Sequence, residues 1–239
     1  MNTYKKTAAV MFVTANVVIS MVAGSLCRGT NTDYEAKITK LTESVNMYKS
    51  FNQRHIVTEA LYLKEIDDLE RDLVLAQTEL DEYKQQEEEA FQYAVATAPL
   101  YELPLKDELQ QYTYAMCSLY DIEDKYELVL ALMWQESNYD AKEVSSTNDY
   151  GLMQINKCNH KFLREAVGVD DFLDPHDNIQ AGVYILSNLF AEYTTNAQVL
   201  MAYNMGPTGA KTLWDRGIYS SNYSRSVMSK LNSIDKYYK

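Results

Sequence analysis

The apolar and polar positions of this chain fall into three regimes. Residues 7–26 carry no charge and are mostly apolar, and Lys5 and Lys6 stand just before them. Twenty residues at helical rise cover about 30 Å, the depth of a bilayer core. With the lysines held in the cytoplasm, everything beyond Arg28 is expected outside the membrane. Residues 1–28 therefore read as a single-pass signal anchor. The small residues Val22-Ala23-Gly24 also admit a signal peptide that is cleaved, giving a secreted protein.

From about residue 33 to residue 95 there is neither proline nor glycine, and Glu, Leu, Lys and Gln dominate. That is the composition of a long helix. A heptad register places Ile38, Val45, Asn52, Glu59, Ile66, Leu73 and Leu80 at a. It places Leu41, Tyr48, His55, Tyr62, Leu69, Ala76 and Tyr83 at d. The seam is apolar at both ends and polar from Asn52 to Glu59, where Ile56 and Leu63 suggest a shifted seam or a hinge. Residues 29–98 are expected to form a coiled-coil stalk that self-associates. His55 reads as a polar register-breaker.

Pro99 and Pro104 end the helical pattern, because proline cannot continue the ladder and restricts the residue before it. Residues 99–239 then read as one mainly α domain. Helical spacing covers Leu105 to Tyr120, Asp124 to Ser137 (with Asp124 as N-cap), Asp177 to Tyr193, Asn196 to Tyr203 and Ser221 to Tyr238. Lys142 to Tyr150 is loop or short hairpin, and Gly206-Pro207-Thr208-Gly209 is a turn.

Charge and composition narrow the function. The 239 residues carry a net charge of −12. That argues against a nucleic-acid partner, which would need a basic face. It also argues against adhesion to anionic lipid by charge alone. No glycine-rich phosphate loop and no metal-ligand spacing is present, so no cofactor and no metal are expected. Of three cysteines, Cys27 borders the apolar segment, and Cys117 and Cys158 are left as a pair that export would allow to join. His160 reads as a surface residue.

The chemistry collects around Glu136, at the end of the apolar run Tyr126 to Gln135. Burial disfavours a charged carboxylate and raises its pKa, and an acid that keeps its proton can donate to a leaving oxygen. Gly151, Gln154, Asn156, Tyr203 and Asn204 supply a tight turn, amides and a hydroxyl. One acid among amides and hydroxyls, with no nucleophile–histidine pair, suits cleavage of a glycosidic bond.

Glu136-Ser137, Gly151-Leu152-Met153-Gln154 and Ala202-Tyr203-Asn204-Met205-Gly206 resemble three successive motifs of the soluble lytic transglycosylase (SLT) family. Tyr223-Ser-Arg-Ser-Val227 resembles its C-terminal element. The resemblance implies a lysozyme-like fold over residues 105 to 239. It also implies cleavage of the MurNAc–GlcNAc β-1,4 bond of peptidoglycan, with a 1,6-anhydroMurNAc product. It makes Glu136 the acid and then the base, and places Ser145 near the N-acetyl group. Tyr203 would hydrogen-bond Glu136, and Met153, Gln154 and Asn204 would line the sugar site. Tyr150 is expected to line it as well.

One segment departs from the pattern. Ser145-Ser-Thr-Asn-Asp149-Tyr150-Gly151 also resembles a segment of animal lysozymes, whose Asp is a second carboxylate. Asp149 could then support hydrolysis, which keeps a muramidase open. A non-catalytic wall scaffold is the alternative of another class.

Overall fold

The computed structural model describes residues 31–52 and 59–239. The predicted membrane segment, Cys27, His55 and Ile56 lie outside the described residues. No helix among the described residues is long and apolar enough to cross a membrane. The chain divides into two compact units, the second of them Glu89–Lys239.

The first unit holds α1 (Asn31–Asn52) and most of α2 (Glu59–Thr97). Leu41, Val45 and Tyr48 of α1 pack on Ile66, Leu69 and Ala76 of α2, with Ile38 and Leu73 at the border. These are the a and d positions of the heptad register, and they are buried against one another within a single chain. The pairs Lys49–Glu70, Lys37–Glu79 and Lys84–Glu35 run in opposite senses along the two helices, so the helices are antiparallel. The seam that suggested self-association is thus covered without a second copy. The described residues of the expected stalk form two antiparallel helices, one ending at Asn52 and the next beginning at Glu59. Leu63 stays exposed.

The second unit is built on α4 (Tyr126–Ser137). From Tyr126 to Met133 every residue except Glu127 is buried, because apolar side chains cover the whole circumference. Its sheath comes from α3 (Asp107–Leu119) and α8 (Asn222–Ile234), with α6 (Pro175–Glu192) and α7 (Asn196–Trp214) completing the layers. A two-stranded antiparallel hairpin, β1 (Asp149–Tyr150) and β2 (Ile155–Asn156), pairs Asp149 with Asn156. The short α5 (His160–Val167), which periodicity missed, follows it.

Local chemistry explains the helix ends. Asp174 caps α6 by accepting from the His176 and Asp177 N–H groups, with Pro175 in the first turn. Ser221 and Ser224 form a reciprocal capping box at α8. Asp124 does not cap α4; it lies in a 3₁₀ turn and pairs with Lys125. Gly206, at φ +73°, bends α7, and the helix resumes at Pro207 instead of ending in a free turn. The last residues return to the domain's entry: Lys239 N–H donates to Leu100 C=O at 2.9 Å, and Tyr101 bridges Tyr238. The tyrosines are largely structural here. Tyr101, Tyr114 and Tyr126 pack ring to ring, and the Tyr101 hydroxyl donates to Glu127 at 2.7 Å.

The structure settles the cysteine pairing that the sequence left open, and it overturns the surface reading of His160. Cys117 is buried and Cys158 exposed, and both are free thiols. His160 is buried, stacked on Phe172 at 3.6 Å between ring centroids. Its place under the hairpin, with Tyr150 edge-on at 5.1 Å, makes it a packing residue.

Candidate active site

Glu136 occupies the last turn of α4, where the helix gives way to Asn138 and Tyr139 in left-handed conformations. The carboxyl is half-buried. Burial pushes its pKa up to about 7; a hydrogen bond from the Tyr223 hydroxyl works against this rise, and the charge of Asp149 adds to it. An ordinary glutamate would be ionised at neutral pH, whereas this one is poised to hold or release its proton there.

The turn that faces this helix end is fixed from three sides. Ser137 Oγ donates to Leu152 C=O at 2.9 Å, tying the end of α4 directly to the Gly151–Gln154 turn. Tyr203 Oη donates to Met153 C=O at 2.8 Å. Asn178, fully buried on α6, accepts from Met153 N–H at 2.8 Å and donates to the carbonyls of Tyr150 (2.7 Å) and Phe172 (2.8 Å). Gly151 must be glycine on two counts. Its φ is +73°, and a Cβ there would lie 2.5 Å from the Asn178 amide nitrogen.

Asp149 has the opposite environment. Partial burial would raise its pKa, but hydrogen bonds from Ser145, Thr147 and Asn156 outweigh that and hold it below the usual range. Ser145 Oγ donates to it at 2.6 Å and Asn156 Nδ2 at 2.7 Å. Two carboxyls that sense each other are thus driven apart, one toward the acid form and one toward the anion. The Tyr203 and Tyr223 hydroxyls keep their protons, since burial and the neighbouring Glu136 carboxylate both oppose ionisation.

Several expected roles change. Tyr223, not Tyr203, donates to Glu136; Tyr203 supports the neighbouring turn. Met153 is fully buried, its sulfur where a Cβ on Gly182 would fall, so its side chain is core and cannot line a sugar site. Ser145 has its hydroxyl engaged by Asp149 and Thr147. Gln154 spends its amide on the carbonyls of Gly151 (2.9 Å) and Glu143 (3.3 Å). Tyr150 is half-buried and Asn204 is exposed, so both keep surface toward solvent. Asn178 escaped the sequence reading; its one signal was an amide on the apolar stripe of an amphipathic helix. Among the described residues no group of three or more His, Cys, Asp or Glu is arranged to hold a metal ion.

A helical domain with one raised acid at a helix end, braced by tyrosines and a buried asparagine, is therefore the unit to compare with known families. The model of the transglycosylase SLT domain matches residues 119–224. The membrane-bound lytic murein transglycosylase F of Serratia proteamaculans is 32% identical over 94 residues, which is 36% of this chain and 18% of that protein. Its namesake from Maricaulis maris is 33% identical over 89 residues, 34% of this chain and 19% of that protein. The chain thus spans less than a fifth of the length of these relatives. Among solved structures, an inactive mutant of lytic transglycosylase Slt from Pseudomonas aeruginosa aligns with 83% of this chain and 36% of its own. That alignment has a TM-score of 0.45 at 16% identity. The 70 kDa soluble lytic transglycosylase of Escherichia coli aligns with 88% of this chain and 52% of its own, with a TM-score of 0.41 at 14% identity.

Proposed function

We propose that this protein is a peptidoglycan lytic transglycosylase with Glu136 as its acid and base. The observation that carries the reading is the Glu136 carboxyl, held near neutrality by burial beneath the Tyr223 hydroxyl. In the first half of the reaction Glu136 gives its proton to the glycosidic oxygen between MurNAc and GlcNAc, and the C1–O bond breaks. In the second half the ionised Glu136 takes the proton from the C6 hydroxyl of the same MurNAc. The C6 oxygen closes onto C1, giving the 1,6-anhydro end, and Glu136 is again protonated. One group serves both steps because its pKa lies near the working pH. Tyr150 and Asn204, which keep surface toward solvent, are the expected sugar contacts.

Asp149 fits an anchoring role better than that of a nucleophile, because three side chains already occupy its oxygens. Its charge serves the reaction by helping keep Glu136 protonated. The relatives are named membrane-bound. Together with the apolar run at residues 7–26, this supports placing the domain outside the cytoplasmic membrane on an N-terminal anchor.

The test is the product. Muropeptides released from purified peptidoglycan are analysed by mass spectrometry. AnhydroMurNAc ends, lost in Glu136→Gln, are expected. Reducing ends that vanish in Asp149→Asn would replace the reading with a hydrolysing muramidase. Absence of any release would replace it with a wall-binding scaffold.

A further inference from the structure

Glu136 lies in a place where a helix is weak. The final turn of α4 has no following turn to complete its carbonyl ladder, since the chain leaves it through two left-handed residues. Such turns fray unless something outside the helix holds them. Ser137 ties the turn to Leu152 on one side. On the other side α8 reaches it with three side chains.

Tyr223, Ser226 and Lys230 are spaced by three and four residues and so share one face of α8. Tyr223 meets Glu136. Ser226 Oγ donates to Gln135 Oε1 at 2.6 Å, and Lys230 Nζ donates to the same oxygen at 3.0 Å. Lys230 also lies 3.4 Å from Ser226 Oγ and stands over the Trp134 ring at 5.5 Å from its centroid. Three successive residues of α4, Trp134, Gln135 and Glu136, are therefore each held by α8. The α4–α8 contact is also the most extensive between any two elements of the second unit. Ser226 and Lys230 lie beyond the stretch matched by the SLT domain model.

We propose that Gln135, Ser226 and Lys230 form a positioning clamp that holds the terminal turn of α4 on α8 and thereby sets the Glu136 carboxyl against the Tyr223 hydroxyl. The clamp acts through Glu136, so its catalytic meaning rests on Glu136 being the acid. Its physical effect does not. The charged and titratable groups acting on Glu136 are Tyr223 from α8, Tyr203 from α7 and Asp149 from β1. Of these, only Tyr223 depends on the clamp. Because the Tyr223 bond favours the ionised carboxyl, loosening the clamp raises the Glu136 midpoint.

The experiment is a carbon-13 NMR titration of the Glu136 carboxyl in the full chain, assigned by its disappearance in Glu136→Gln, beside thermal unfolding. Lys230→Met keeps an apolar stem over Trp134 and removes the donor. It is expected to raise the midpoint toward that of Tyr223→Phe, and to add nothing in a Tyr223→Phe background. Lys230→Arg is expected to restore the wild-type midpoint. In a turnover assay the same Lys230→Met change should lower kcat by about tenfold, within the range for small misplacements of a catalytic group, with KM unchanged. A Lys230→Met midpoint equal to wild type, with only a lower melting temperature, would overturn the clamp. If Lys230→Met does not fold, Ser226→Ala, which deletes a single oxygen, gives the same reading. The titration needs no substrate. A protein that released no anhydro ends would sink the functional reading and leave the clamp standing.

Discussion

Replacing Glu136 with glutamine should make the protein more stable, and by an amount that grows with pH. In the folded state the carboxyl keeps its proton up to about 7, against 4.5 for an ordinary glutamate. Each tenfold difference in proton affinity is worth about 1.36 kcal/mol. The folded state binds this proton more tightly than the unfolded chain, so wild-type stability falls as pH rises through that window. Between pH 5 and pH 8 this one group costs the wild type about 2.5 kcal/mol. Glutamine keeps the shape and an acceptor for Tyr223 but cannot ionise, so the variant escapes the cost. Urea unfolding of both proteins at the two pH values checks this, because every other titrating group cancels in the comparison. A difference in stability that stays constant from pH 5 to pH 8 would refute the claim that Glu136 is held protonated by burial. The gain in stability should come with loss of any lytic activity, as expected where an active site stores a destabilised group.

Three further outcomes follow from the packing. Gly151→Ala forces a left-handed alanine and a methyl into the Asn178 amide. It should lose 3 kcal/mol or more, roughly the backbone cost plus disturbed hydrogen bonds, read as a lowered urea midpoint. Met153→Ala should cost about 2–5 kcal/mol in the same assay by opening a cavity, with KM for glycan strands little changed; a large KM effect at unchanged stability would return Met153 to the sugar site. Under native conditions a thiol reagent should modify Cys158 promptly and Cys117 only after unfolding, and mass spectrometry of the oxidised protein should show no bond between them.

The sequence carried the helices and the acid, and it failed where partners had to be chosen. The heptad positions of α1 and α2 were legible because their period is regular, and they are the residues found buried. Whether they meet another chain or fold back is not written in that period, since an antiparallel pair within one chain hides the same seam. The polar run after Asn52 was the clue. Glu136 was legible because a carboxyl ending an apolar helix has only a few physical fates. Tyr203 and Tyr223 were harder to tell apart. Both are hydroxyls near helix ends, and only the kink at Gly206 and the docking of α8 decide which reaches Glu136. Asn178 was invisible because its three partners come from separate stretches of chain that no local spacing links.

The pairing of Glu136 with Tyr223 has a consequence for the order of events as the chain is made. The helix bearing the acid emerges from the ribosome well before α8, which follows after two strands, a 3₁₀ turn and three helices. Until α8 arrives, α4 is an apolar rod missing one wall, and its terminal turn lacks its restraint. Domains close as their last element docks, with N-terminal parts waiting in partly formed states. The Glu136–Tyr223 pair is therefore absent until α8 has been made. The carboxyl meets its donor only once α8 has docked on α4. A break between α4 and α8 therefore separates Glu136 from the Tyr223 hydroxyl that holds it.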